Sequence, residues 1–309
     1  MIWLILAAAI IAIIIASRTL MRRTGRRMRT THLRLLVPGL PAALEGARFV
    51  MLSDLHVGRL HVPPERLLAA VERAQPDILL LGGDYAARAA AHAEALRLVR
   101  RLSANQPTFG VMGNTDHHQR LDSEALRAIL RSSGGDLLIN EAGRAQIGEA
   151  TVEFLGVDDS LHGRADVEAT ARRAAPHADL RIGLCHSPAL WREFRRLRAH
   201  ITLVGHTHGG QVRLPGLEAQ ITHLTYPREL AAGLFRYDTE DRPPRPVAGH
   251  WRILSRESPL GVSTAAGPLL YVTRGVGMGV FPVRVMCPPE LVVIELERED
   301  EAGGAPGDG

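Results

Sequence analysis

The sequence predicts an α/β fold: a mostly parallel sheet whose strands are joined by crossover helices. Three observations predict it. From Arg48 onward, short apolar runs alternate with segments of helical spacing. The chain has 309 residues and is 46% hydrophobic, enough to bury a substantial core. Several apolar runs also end in a polar residue close to a glycine, and the carboxyl ends of strands are where α/β sheets collect ligands. The same composition excludes a disordered, collagen-like or disulfide-stapled chain. Two cysteines, Cys185 and Cys287, make one bridge at most, so they are no framework, and they fit a reducing compartment. The sequence contains no lysine, which excludes a Schiff base and a P-loop.

In chain order, the first element is a tail. Residues 2–16 are uninterruptedly apolar. As a helix they reach about 22 Å, and extension through Met21 spans the roughly 30 Å of a hydrocarbon core, with Arg18 reaching back to the headgroups. Seven arginines lie between Arg18 and Arg34, before the first acidic residue, Glu45. A secretory signal places its charge ahead of the apolar run, and here the order is reversed. The arrangement predicts a single N-terminal anchor with a polybasic stretch (1–34), holding the rest of the chain on the cytoplasmic side of the inner membrane. Without those seven arginines the chain carries 30 basic against 33 acidic residues, a net of −3. The body therefore gives no charge-based reason to expect nucleic acid as a partner.

The folded domain is expected over 48–297. Strands are predicted at 49–52, 78–81 and 109–112, with helices at 64–74 and 91–102 between them and another at 122–131, capped by Asp122. Short strands at 137–140, 145–147 and 151–156, separated by turns, suggest antiparallel pairing. A helix at 165–174, a strand at 181–185, a helix at 189–199 and a strand at 201–204 resume the alternation. Strands at 269–273 and 291–296 close the domain. The proline-rich segment 238–267 reads as a surface insertion, and the acidic, Gly-rich 298–309 as a disordered tail.

The chemistry lies at the strand ends. They read Ser53-Asp54-Leu55-His56, Gly82-Gly83-Asp84, Gly113-Asn114-Thr115-Asp116, Cys185-His186 and Gly205-His206-Thr207-His208-Gly209-Gly210. Asp, His and Asn together suit divalent ions such as Mn, Fe, Zn or Co, and a shared carboxylate can bridge two ions. Each piece alone is weak: Asn114 alone is a turn residue, and Gly-Asp a strand exit. Five pieces in fixed order, each at a predicted strand end, are not. The late Gly275-Val-Gly-Met-Gly279 lacks the spacing and following helix of a dinucleotide site.

These residues carry a resemblance. Asp54-x-His56, Gly83-Asp84, Gly113-Asn114-x-Asp116, His186 and Gly205-His206-x-His208 resemble the calcineurin-like metallophosphoesterase superfamily. The stretch 205–212, with Tyr271-Val-Thr-Arg-Gly-Val-Gly (271–277) and Cys287-Pro-Pro-Glu290, resembles its membrane-associated bacterial branch, which includes proteins similar to UDP-2,3-diacylglucosamine hydrolases. The resemblance implies a two-sheet α/β/β/α sandwich binding two divalent metal ions. One ion would take Asp54, His56, Asp84 and His208. The other would take Asp84, Asn114, His186 and His206, with Asp84 bridging and with Asp84, Asn114 and His206 closest to the chemistry.

The resemblance departs at Thr115, where most members carry His. A threonine hydroxyl does not donate a proton at neutral pH as readily as an imidazole does, which weakens the case for a monoester reaction needing strong acid help. His117 and His118 lie on the same loop and are candidate substitutes, although two adjacent polar histidines equally describe a solvated pair. The histidines outside these motifs read as surface or core residues. Three functions remain open: a membrane-anchored phosphodiester or pyrophosphate hydrolase with a lipid-linked or UDP-lipid substrate, a tethered nucleotide or nucleic-acid phosphodiesterase, and a non-catalytic binding scaffold on the same fold. All seven ligand positions carry suitable side chains, which favours an enzyme.

Overall fold

Alternation with a period of two sets the first strand. Thr31, Leu33, Leu35 and Val37 are buried while their neighbours turn outward, giving β1 (Arg29–Pro38). The structure, a computed structural model, describes residues 24–213, 228–237, 243–247, 260–279 and 283–299. The sheet thus begins at Arg29, inside the stretch expected to be polybasic tail (1–34) and ahead of the expected domain start at 48. Charge did not prevent this, because Arg34 sits on the outward side of the strand and meets Glu297 at 3.5 Å, while Leu33 and Leu35 enter the core. The apolar run 2–16 lies outside the described residues. Among the described residues no helix is long and apolar enough to cross a membrane.

The parallel alternation is as expected. Strands β2 (Arg48–Leu52), β3 (Ile78–Leu81) and β4 (Thr108–Gly110) are joined through α1 (Pro64–Ala74) and α2 (His92–Leu102). Pro64 opens α1, where its missing N–H costs nothing, and Gln75 closes it in a left-handed conformation. Next come α3 (Asn114–His118) and α4 (Ser123–Ser132), whose cap, Asp122, accepts the Ala125 N–H. β5 (Asp136–Leu137) pairs parallel to β4, which departs from the expected antiparallel trio. Only β6 (Glu141–Ile147) and β7 (Ala150–Val157) form an antiparallel hairpin there.

After α5 (Val167–Arg173) and β8 (Leu180–Cys185), the helix expected at 189–199 is replaced by two 3-10 turns, Pro188–Leu190 and Phe194–Leu197. The apolar residues explain it: Trp191, Phe194 and Leu197 are buried at a spacing of three, the period of a 3-10 helix rather than an α-helix. Then come β9 (Ile201–Val204), β10 (Gly233–Arg236), β11 (Arg245–Pro246), β12 (Leu260–Ser263), β13 (Leu269–Val272) and β14 (Glu290–Glu299). Segment 238–267 is therefore more than a surface insertion, since β11 pairs with β10 and β12 pairs with β1.

Two seven-stranded sheets result, in the orders β12-β1-β14-β2-β3-β4-β5 and β11-β10-β13-β9-β8-β7-β6. They pack face to face over a core in which Phe154 of β7 stacks on Phe109 at 4.4 Å and meets Phe49 edge-on at 6.2 Å. Helices α1, α2 and α4 cover the outer face of the first sheet. Among the described residues, the outer face of the second is covered by α5 and the turns around Trp191 and Phe194. The α/β/β/α sandwich is the architecture expected. Its consequence for function is that the carboxyl ends of β2, β3 and β4 in one sheet and of β8 and β9 in the other open at the same edge.

Candidate metal centre

Each sheet delivers part of one polar cluster. Asp54 and His56 follow β2, Asp84 follows β3, and Asn114 begins α3 just past β4. From the second sheet, His186 follows β8, and His206 and His208 follow β9. All seven meet. The His56 and His208 Nε2 atoms lie 3.2 Å apart, and His208 Nε2 is 3.5 Å from Asp54 Oδ1. His186 Nε2 lies 3.1 Å from Asn114 Oδ1 and 3.3 Å from His206 Nδ1. Asp84 Oδ2 joins the two halves, 3.2 Å from His56 Nε2 and 3.5 Å from His186 Nε2. Two compact groups, Asp54/His56/His208 and Asp54/Asp84/His186, have ligand atoms all within 4.8 Å of one another. Both carboxylates therefore lie between the two histidine sets.

The donor chemistry fits a divalent cation. His186 Nδ1 donates to the Gly82 carbonyl at 2.7 Å, so in a neutral ring Nε2 bears a lone pair. That lone pair faces an amide oxygen, a carboxylate and another imidazole, an arrangement that is repulsive unless positive charge lies among them. Burial opposes a proton on His186, but the Asp84 carboxylate outweighs it and pushes the pKa up to about 10. Burial likewise works against ionised Asp84, yet His186 and His56 hold its carboxyl well below the usual range. Unlike His186, His208 is held well below its ordinary value, first by burial and then by His56 and Arg284. Two buried carboxylates and four imidazoles form a centre that demands positive charge, and metal ions meet that demand by displacing protons.

The backbone is arranged for this convergence. Asp54, His56, Asp84, His206 and His208 all hold positive φ, between 41° and 69°. Such conformations cost about 1–3 kcal/mol each in non-glycine residues and cluster at functional sites. Glycine makes the approach possible: a Cβ on Gly205 would strike the Asp54 carboxylate, and one on Gly113 would strike that of Asp84.

Supporting residues complete the centre, and most carry no local signal in the sequence. Asp116, the last residue of the Gly113–Asp116 strand end, accepts three backbone N–H groups, from Asp84 at 2.7 Å, Tyr85 at 2.8 Å and Gly113 at 2.9 Å, tying two strand ends together. Burial and the Asp84 charge still lift its carboxyl to about 7. Thr115 donates through Oγ1 to Asp84 Oδ2 and through its N–H to Oδ1, both at 2.8 Å. The motif at 271–290 is also structural. Glu290 accepts from Thr31, Tyr271 and Thr273 hydroxyls and from Arg274, whose guanidinium pairs with it at 2.8 Å. Arg284, fully buried, donates to the carbonyls of Arg274, Gly275, Gly277, His208 and Cys287. No spacing rule points to Arg284; only its burial reveals it. Cys185 behaves as a small buried hydrophobe, its thiol pushed up to about 12 by burial, and neither cysteine is bridged.

The cluster opens into a cavity of about 360 Å³, whose wall beyond the candidate ligands includes Arg59, Thr115, His118, Gln119 and His162. His117 does not form a solvated pair with His118. Its Nε2 sits 2.7 Å from Asp158 Oδ1, and the ring is largely buried. His162, outside every motif and expected only as a surface or core residue, lines this cavity.

Comparison with known proteins gives the family. The chain is 28% identical over 181 residues to the uncharacterized metallophosphoesterase YkoQ of Bacillus subtilis, covering 57% of this chain and 66% of that protein. It is 26% identical to the phosphodiesterase YaeI of Escherichia coli, over 81% of this chain and 82% of YaeI. It is 24% identical to the UDP-2,3-diacylglucosamine pyrophosphatase LpxG of Chlamydia trachomatis, over 88% and 90%. The profile of the calcineurin-like phosphoesterases matches residues 47–210, from the start of β2 to the glycines after His208. That span contains all seven convergent side chains, and the chain belongs to the calcineurin-like phosphoesterase family.

Proposed function

We propose that this protein is a metal-dependent hydrolase of a phosphodiester or pyrophosphate bond, acting on a lipid-linked or UDP-lipid substrate at the inner membrane surface. The observation that carries the reading is the convergence of two carboxylates, four imidazoles and Asn114 at the floor of an open cavity. Asp54, His56, Asp84 and His208 would hold one ion, and Asp84, Asn114, His186 and His206 the other. When bound, such cations lower the pKa of a water and neutralise charge growing on the phosphoryl oxygens. The chain's own groups do the rest. Asp54 and Asp84 balance the charge, the Gly82 carbonyl holds His186 in one tautomer, and Thr115 keeps the Asp84 carboxylate in place. Arg59, in the cavity wall and anchored to the Gly279 carbonyl at 3.1 Å, offers a permanent cation to a second phosphate.

Two relatives support the choice of bond, one named a phosphodiesterase and the other a pyrophosphatase of a UDP-lipid. The apolar run and arginines of residues 1–34 support the membrane surface, with catalysis on the cytoplasmic side. The test is direct. Purified protein reconstituted with Mn, Zn, Fe or Co is assayed on bis(p-nitrophenyl) phosphate and on a UDP-linked diacylglucosamine in vesicles. Two equivalents of metal with turnover of both substrates is expected. Turnover of the soluble diester alone would favour a nucleotide or nucleic-acid phosphodiesterase, and metal binding without turnover of either would favour the scaffold.

A further inference from the structure

Hydrolysis of an alkyl ester needs a proton for the departing oxygen. Among the described residues on the cavity wall that are not candidate ligands, only His118 and His162 carry a side chain that exchanges protons readily near neutral pH. They differ in how they are held. His162 Nδ1 lies 2.5 Å from Oδ2 of Asp159, and the Asp159 side chain is fully buried. The same carboxylate also accepts the N–H groups of Leu161 and His162, each at 3.1 Å, while the Asp159 carbonyl accepts those of Arg164 and Ala165, each at 3.0 Å. The 159–165 turn is thus built around one buried acid that holds the His162 ring. A carboxylate can only accept, so Nδ1 of His162 must bear the hydrogen, and Nε2 is the nitrogen left for exchange. The His162 side chain is 40% exposed, and the residue lines the cavity into which the candidate ligands open. Behind it, the neighbouring Asp158 meets His117 through the other ring nitrogen, Nε2, at 2.7 Å, and the His117 ring centre lies 6.5 Å from that of His162, which packs the turn against α3.

We propose that His162, positioned by Asp159, is the catalytic acid that protonates the leaving group. This rests on the hydrolase reading above. In the step, the oxygen of a water bonds to phosphorus and that water releases a proton to solvent. The bond from phosphorus to the leaving oxygen breaks, and its electron pair stays on that oxygen. The leaving oxygen takes the Nε2 proton of the His162 imidazolium, and the ring, now neutral, regains a proton from solvent. Asp159 takes no part in the bond changes and only orients and stabilises the ring. The Thr115 hydroxyl, committed to Asp84, is not free for this role.

The test uses the full chain, reconstituted with the metal that supports turnover, and a series of aryl methyl phosphates running from a dinitrophenyl to an unsubstituted phenyl leaving group. A good leaving group departs without a proton, whereas a poor one needs it. His162→Gln should lower kcat/KM by on the order of 10²-fold for the phenyl ester and by less than about threefold for the dinitrophenyl ester. Asp159→Asn should show the same dependence on leaving group, more weakly. Independently of turnover, nitrogen NMR of histidine-labelled protein should find the neutral His162 ring protonated at Nδ1. An equal loss across the series, no loss at all, or an Nε2-protonated neutral ring would overturn the assignment. Wild-type protein inactive on every ester with every metal would instead overturn the hydrolase reading beneath it.

Discussion

Positive φ at five of the seven candidate ligands is a cost the fold bears at the residue scale, since each left-handed residue is worth about 1–3 kcal/mol of strain. The strain falls on three of the five strand ends, those after β2, β3 and β9, and turns their side chains toward one point. Within the cluster the residues are unequal. Asp84 is a charged group between both histidine sets, whereas Asn114 is a neutral group touching one. Asp84→Asn should therefore lower metal occupancy of the purified protein far more than Asn114→Ala, by more than about tenfold in affinity. Titration calorimetry with Mn or Zn checks this. Full affinity for two ions in Asp84→Asn would remove the bridging role. The ligand types were legible because each sits at the end of an apolar run. Thr115 was legible as a departure, but its hydrogen bonds to Asp84 were not, since nothing in a sequence fixes which way a hydroxyl turns.

At the scale of elements, the last strand and the loop before it hold the floor of the site. Glu290 and Arg274 form a buried pair, and the loop between them passes over Asp54, where a Cβ on Gly275 would collide with the carboxylate. Burial pushes Glu290 up, but Arg274 and the hydroxyl and N–H donors outweigh it, so its carboxyl titrates below its ordinary 4.5. A depressed carboxyl contributes stability above its unfolded-state pKa and loses it as pH falls through the folded one. Glu290→Gln leaves Arg274 uncompensated and should cost about 3–5 kcal/mol at pH 7. The gap from wild type in urea unfolding should hold above about pH 4.5 and close on further acidification. A gap that did not change with pH would assign the loss to packing instead of charge. The motif 271–290 could be recognised in the sequence, but not its reason, because the acid and its partners come from β1, β13 and β14.

For the whole molecule, the two chain ends matter to the same sheet. β1 pairs along its length with β14, joining residues 29–38 to 290–299. A truncation that removes the proposed anchor must therefore stop before Arg29. Removal of residues 1–23 should leave turnover of a small soluble diester within about twofold of full length, because none of the seven ligands and no described strand is touched. The same deletion should reduce hydrolysis of a vesicle-borne lipid diphosphate by more than about tenfold in anionic vesicles, where each lost arginine near the surface removes roughly 1 kcal/mol of attraction. Equal rates on vesicles would separate the tether from the substrate.

What could be known without coordinates was whatever repeats or terminates within a few residues. The alternation of apolar runs and helical spacing specified an α/β fold, and five polar strand ends in order pointed to divalent metal ions and carried the resemblance to the calcineurin-like metallophosphoesterases. Both signals lie within single elements, where side-chain periodicity links residue i to i+2 or i+4. Local pattern misled at 189–199, where a spacing of three made 3-10 turns, and at 29–34, where charge hid a strand. Tertiary structure alone decided the rest. His56 and His208 meet across 152 residues, and Thr31 and Glu290 across 259. Arg284 is recognisable only by its burial, and His162 only by the cavity it lines and the buried Asp159 that holds it. Such contacts are set by how two sheets stack, and stacking depends on every inward-facing side chain at once, so no window of sequence contains them.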